Sequence, residues 1–305
     1  MPGDTLIITS AADSARIMDS LNNVHAGRVI QSGEDSNIFS AFVPFGIVLL
    51  IIAVPFLIKW SKEKLKQKKV YQTLEFNFAR YDEWLAAYNG YYKSLSASLR
   101  QRFMERVAWF MATKTFACID LPQEDKMPLL ISAASVQITF GLDKFLLDFF
   151  DTIYILQHNY KYGLYNMPFE GHVNSNGIYL SWDNFLRGYA DYTDADNVGI
   201  HEMAHALAYV NFMAGANDGQ DKAFIQRFYR FSAVARPIFT DMQNGKKNLL
   251  NEYAATNYNE FWAVAVETFF EKSLHMKAAM PDLYEAMCSL LNQDPLVAEK
   301  LLTIA

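Results

Sequence analysis

Cysteine is nearly absent from this 305-residue chain: only Cys118 and Cys288 occur. That is too few for a disulfide framework and suits a reducing compartment. Excess positive charge is also missing, since 27 Lys and Arg face 33 Asp and Glu for a formal net charge of −6. Nucleic acid is therefore not expected as a partner. No internal repeat and no low-complexity tract interrupts the chain. Apolar residues are plentiful, with 51% hydrophobic and 15% aromatic. This composition excludes a disordered protein and can supply the core of a domain of more than about 200 residues.

One apolar run lacks charge altogether. Ile38 to Ile58 contains no ionisable side chain and, as a helix, would rise about 30 Å, the thickness of a bilayer's hydrocarbon layer. Pro44 and Pro55 are tolerated in membrane helices, and Trp60 follows at interface depth. Lys59, Lys62, Lys64, Lys66, Lys68 and Lys69 lie C-terminal to the run, against Arg16 and Arg28 before it. The positive-inside rule then predicts a single-pass anchor with a cytoplasmic C-terminal domain. The expected organisation is a short extracytoplasmic tail at 1–37, a transmembrane helix at 38–58, a basic juxtamembrane segment and lead-in at 59–92, and a catalytic domain at 93–305.

Helical spacing dominates beyond the lysines. Leu95, Leu99, Phe103, Val107 and Met111 recur in four-residue steps, and Leu121-Pro122 ends that pattern. The stretch 127–142 is apolar almost all round and reads as a central buried helix. Residues 151–157 and 177–182 read as strands, the second entered through the turn residues at 174–177. Further helices are expected at about 196–213, 218–235, 257–273 and 281–292. The predicted fold class is α+β, a mostly helical domain with a small β-sheet preceded by one transmembrane helix.

Chemistry concentrates in "VGIHEMAHAL", residues 198–207. Asp194 or Asp196 can cap a helix starting near Asn197. On it, His201 and His205 are four residues apart and project from one face. Both imidazoles can therefore reach one metal ion, while Glu202, one step round, can contact water without ligating. Neutral imidazoles leave the charge of zinc uncancelled, which keeps a bound water acidic at a pKa of about 7. A carboxylate can then take the water's proton and deliver it to a leaving amine. By composition alone H-E-x-x-H arises in on the order of one in a hundred chains of this length, so context decides. Val198, Ile200, Met203, Ala204, Ala206 and Leu207 make the rest of this helix apolar. Burying two histidines and a glutamate there without a partner is costly, and a metal resolves it.

A catalytic zinc needs a third protein ligand. No H-x-x-G-x-x-H extension follows His205, and His158, His172 and His275 lack a supporting context. Glu260 and Glu267 share one face of an apolar helical stretch at 251–271. Glu260 also fits the N3 position behind an Asn257 cap. Pattern alone does not choose between the two glutamates.

"IHEMAHAL", "YAATNYNEFWAVAVETFFE" and "PDLYEAMCSLLNQDP" together resemble the Mlc titration factor A (MtfA)-like zinc metallopeptidases over residues 90–296 or so. That family shares its catalytic layout with the anthrax lethal factor metalloprotease. The resemblance implies one Zn2+ held by His201, His205 and Glu260, with Glu202 as general base. It places Glu267 behind a ligand histidine as an orienting group and matches Tyr253 to a tyrosine that stabilises the tetrahedral oxyanion. It also implies aminopeptidase-like hydrolysis of short peptides, here at the bacterial inner (cytoplasmic) membrane with the catalytic domain cytoplasmic. The chain departs from the family at Ala208, where relatives tend to be acidic, and at 211–222. The strand at Gly177–Trp182 is the expected rail for a peptide substrate by β-augmentation. The alternative is a zinc-containing binding protein that sequesters a partner such as a transcriptional regulator. An intact Glu202 argues against it, because binding alone does not require a general base.

Overall fold

The computed structural model describes residues 37–163, 168–215 and 219–297, with side chains from Ile51 onward. The chain divides into two compact units, residues 1–67 and 68–305.

Helix α1, Asn37–Tyr88, is a single 52-residue helix, and the segment expected to cross a membrane falls inside it. The side chains of 38–50 lie outside the described residues. From Ile51 only a short uncharged stretch remains before Lys59, after which lysines and Glu63 interrupt the apolar surface every few residues. A bilayer requires about 20 predominantly apolar residues. No helix among the described residues is long and apolar enough to cross a membrane. The transmembrane helix in the expected fold class, and the single-pass inner-membrane placement drawn from it, are therefore not supported.

The second unit is mostly helical around a small mixed sheet. Helices α2 (Gly90–Ser94) and α3 (Ala97–Thr113) lead into strand β1 (Thr115–Ile119) and helix α4 (Lys126–Thr139). Every residue of α4 from Met127 to Thr139 is buried, as its all-round apolar sequence predicts. Its final carbonyls are not left orphaned. Arg106 Nη1 donates to the carbonyls of Thr139, Phe140 and Leu142 at 3.1, 3.0 and 2.7 Å, closing the helix end from a neighbouring helix.

Strands β2 (Thr152–Leu156), β3 (Gly171–Asn174) and β4 (Gly177–Ser181) complete the sheet in the order β1-β2-β4-β3. The first three in that order are parallel, and β3 pairs antiparallel with β4 across a tight turn. Ile153, Ile155, Ile178 and Leu180 are buried on one face. On the other face, Tyr154, Tyr179 and His172 stack across three strands, with centroids 4.5 and 4.3 Å apart. This order corrects the expected substrate rail. Strand β4 lies between β2 and β3, so its backbone groups are used on both sides, and β3 forms the edge. Neither β1 nor β3 is evident in sequence: β3 has only four residues, and β1, though as long as β2 and β4, carries Ala117 and Cys118 where those strands carry Tyr, Ile or Leu.

Helix α5 (Trp182–Ala190) follows β4 directly, then α6 (Val198–Phe212), which carries the histidines, and α7 (Lys222–Gln243). A 3-10 turn at Glu252–Ala255 precedes α8 (Tyr258–Glu271), and α9 (Ser273–Ala279) and α10 (Pro281–Leu291) close the unit. Helix α6 packs on α4, α8 and the β3–β4 hairpin. Its apolar faces meet the core while the histidines look out over the sheet edge. Cys118 and Cys288 are both free thiols.

Candidate metal centre

Asn197, rather than Asp194 or Asp196, caps α6: its side-chain oxygen accepts from the Ile200 N–H at 3.1 Å. The same residue ties α6 to α8. Its backbone N–H donates to Glu267 Oε2 at 2.9 Å and its side-chain amide to Glu271 Oε1 at 2.9 Å. A second tie comes from Trp262, whose indole N–H donates to the Ala204 carbonyl at 2.9 Å within the core. These bonds bring the two glutamates of α8 level with the histidines of α6.

Three atoms from distant sequence positions converge there. His201 Nε2 lies 3.0 Å from His205 Nε2 and 3.0 Å from Glu260 Oε2, and His205 Nε2 lies 3.3 Å from Glu260 Oε2. Ligands about 2.0–2.1 Å from a tetrahedral zinc stand about 3.3 Å apart. The observed triangle therefore fits such an ion with shifts of a few tenths of an ångström. Side-chain exposures of 15%, 18% and 17% for His201, His205 and Glu260 leave a partly open approach, as a catalytic rather than a closed structural site needs.

The hydrogen bonds behind the triangle are also suited to a cation. Glu267 Oε1 lies 2.6 Å from His201 Nδ1, so Nδ1 carries a proton and Nε2 is the nitrogen aimed at the convergence point. Burial works to neutralise His201, but the carboxylates of Glu260 and Glu267 outweigh it and hold its pKa well above the ordinary 6.5. For Glu260 burial is likewise outweighed, and its two histidine partners draw it below the usual carboxylate range. Positive charge is thus favoured where the three atoms meet.

Glu202 points into the same space. It is 5% exposed, and its Oε2 is buried without a hydrogen-bond partner among the described residues. Burial raises its pKa, with the two histidines opposing. An unpartnered buried carboxylate oxygen costs free energy unless water or substrate completes it. Gly171 on β3 makes room for this residue. A β-carbon there would stand 2.5 Å from Glu202 Cγ, so only glycine permits the present approach of strand and helix.

The centre sits in a cleft with two lobes that share Phe169, Gly171, His201, Glu202 and Tyr253. One lobe, about 590 Å3, is acidic, with Glu170, Asp196 and Glu267 on its wall. The other, about 690 Å3, is lined mainly by aromatic residues and contains Ala208, the position where this chain departs from the MtfA-like pattern. Tyr253 stands on the 3-10 turn, half exposed, with its ring centroid 6.2 Å from that of His201. Burial and the nearby Glu260 and Glu202 carboxylates raise its phenol, keeping it protonated.

The structure thus brings His201, Glu202, His205, Tyr253 and Glu260 into one cleft and puts Glu267 behind His201. Three further residues of the site carry no role in the sequence reading. Gly171 is one glycine among fourteen, and Asn197 was passed over for its acidic neighbours. His172, set aside for want of context, lines the aromatic lobe and has its Nδ1 2.8 Å from the Tyr160 hydroxyl.

A helix presenting H-E-x-x-H, a carboxylate from a second helix, and an edge strand alongside are the arrangement of a metallopeptidase. Comparison with known proteins agrees. Residues 59–291 match the family described as "Glucose-regulated metallo-peptidase M90". The match spans most of the chain, and this protein belongs to that family, the MtfA family. It is also 24% identical over 275 residues to the uncharacterized protein slr2042 of Synechocystis sp., covering 83% of this chain and 95% of the relative.

Proposed function

We propose that this protein is a zinc-dependent peptidase of aminopeptidase-like specificity, with His201, His205 and Glu260 as metal ligands. The convergence of three ligand atoms at 3.0–3.3 Å beside the unpartnered Glu202 oxygen carries this reading. Held by His201, His205 and Glu260, zinc would supply an acidified water and a Lewis acid for the peptide carbonyl. Glu202 Oε2 takes the proton from the attacking water, a step its raised pKa favours, and then hands it to the more basic departing amine. The Tyr253 hydroxyl donates to the oxygen on which negative charge develops. Glu267 holds the ring of His201 in place throughout.

The peptide lies along β3, whose outer edge has no strand partner among the described residues, and pairs with it by β-augmentation. The acidic lobe supports amino-terminal specificity. Asp196 is exposed there, and it and Glu170 suit an α-ammonium group, with Glu170 shared with Arg187 at 2.9 Å.

The test uses the full chain: bound zinc is quantified, and hydrolysis of a panel of short peptides with free and acetylated amino termini is compared with that by Glu202→Gln. Stoichiometric zinc and Glu202-dependent turnover favouring free amino termini are expected. Zinc without Glu202-dependent turnover would leave a metal-binding regulatory protein, and a protein that binds no zinc would refute both.

A further inference from the structure

The aromatic lobe holds a cation that the hydrolytic chemistry does not use. Arg236, on α7, is the only Lys or Arg among the described residues lining that lobe. Its guanidinium lies 4.8 Å from the ring centroid of Tyr258, two residues before Glu260. Among the described residues no carboxylate pairs with it, and none of its N–H groups has a hydrogen-bond acceptor. An arginine is charged at every physiological pH and offers five donors in a planar fork matched to carboxylates. Contact with a ring face holds the group in place without consuming those donors.

Its surroundings add a second requirement. Phe212 and Met213, at the end of α6, are 39% and 74% exposed on the same lobe. Phe228 packs against Phe212 with centroids 4.7 Å apart and backs onto Trp262 at 5.5 Å. An exposed cation resting on the Tyr258 ring beside an exposed apolar wall, in the cleft that holds the metal triad, matches a ligand that is apolar and anionic together.

We propose that Arg236 anchors a carboxylate of the peptide substrate, with an apolar residue of that peptide against Phe212, Met213 and Phe228. This rests on the peptidase reading above. The carboxylate has two chemical sources, the C-terminal group of a short peptide or an Asp or Glu side chain, and both present the same fork-shaped acceptor. With Glu170 and Asp196 on the wall of one lobe and Arg236 on the wall of the other, the two lobes offer opposite charges and would also orient a short zwitterionic peptide.

The experiment measures kcat and KM on three tripeptides of equal length: one with a free C-terminal carboxylate, its amide, and an amide carrying Glu on the C-terminal side of the scissile bond. Wild type, Arg236→Gln and Arg236→Lys are compared at matched zinc content and melting temperature. The wild type should favour one or both carboxylate peptides over the neutral amide by about tenfold, as expected for a charge-assisted pair, and the favoured peptide identifies the source. Arg236→Gln should bring that ratio to about one through KM, with Arg236→Lys in between because it keeps charge but loses the fork. A wild-type ratio of one, or a ratio indifferent to residue 236 while Glu202-dependent turnover persists, overturns the anchor alone. Absence of Glu202-dependent turnover on all three peptides overturns the peptidase reading and the anchor with it.

Discussion

Replacing Gly171 by alanine tests how the strand and the catalytic helix fit together. A β-carbon at this position would lie 2.5 Å from Cγ of Glu202, 2.8 Å from Oε1 and 2.9 Å from Cδ. Carbon atoms in contact prefer about 3.5 Å, so the glutamate must retreat by about 1 Å. Gly171 does not occupy the left-handed backbone region, so no conformational strain adds to the clash. The yielding group is a buried side chain that faces the open space of the cleft, and the cost to folding should stay near the low end of the roughly 1–3 kcal/mol typical of overpacking. Catalysis is less forgiving, because moving a proton-transfer group by about 1 Å costs on the order of 10²-fold. The three atoms nearest the new methyl group all belong to Glu202, so the strain falls on that residue first and zinc content should not change. Gly171→Ala is thus expected to bind stoichiometric zinc, melt within a few degrees of wild type and lose about 10²-fold in kcat on short peptides. Wild-type kcat would refute the assignment of Glu202 as a general base held against β3. Loss of zinc would show that the strand supports the ligands instead.

Glu267→Gln should weaken zinc binding by about 10–100-fold in a chelator competition titration, because His201 loses its charged Nδ1 partner; unchanged affinity would free Glu267 from that role. Glu260→Gln should lose more, and full affinity in this variant would move the third ligand to Glu267. Chelation should lower the wild-type melting temperature and zinc should restore it, in proportion to the logarithm of zinc over Kd; a melt insensitive to zinc argues against the site. Burial, partly offset by the Asn197 amide and reinforced by the charges of Glu267 and Asp194, raises Glu271 to about 8 from the ordinary 4.5. The folded state therefore favours the protonated form. The stability from this group is fully present below about 4.5 and is lost as pH rises through about 8. Melting at pH near 6 and near 9 should drop less in Glu271→Gln than in wild type, and equal drops would contradict the raised pKa.

Local chemistry determined much of this protein directly from sequence. His201, Glu202 and His205 are read together because a 3.6-residue turn forces positions four apart onto one face, and the burial of α4 follows from its apolar residues all round. The two long helices carrying site residues were likewise legible from periodicity. Sequence also suggested a membrane span, from hydropathy over 38–58, which the helix among the described residues does not support: it runs on unbroken into charge, and an uncharged stretch reads alike whether or not a helix continues beyond it.

The remaining features depend on where separate segments meet. Only tertiary structure sets Glu260 Oε2 beside two histidine nitrogens and turns Glu267 to the far side of His201, since both glutamates occupy the same face of α8 and differ in what stands opposite. The substrate edge passes from β4 to β3 because strand order is a property of pairing, which single-strand patterns do not encode. Gly171 and Arg236 are ordinary residues in sequence. One becomes critical through a 2.5 Å approach and the other through the cleft it enters, and both follow from the packing of distant elements.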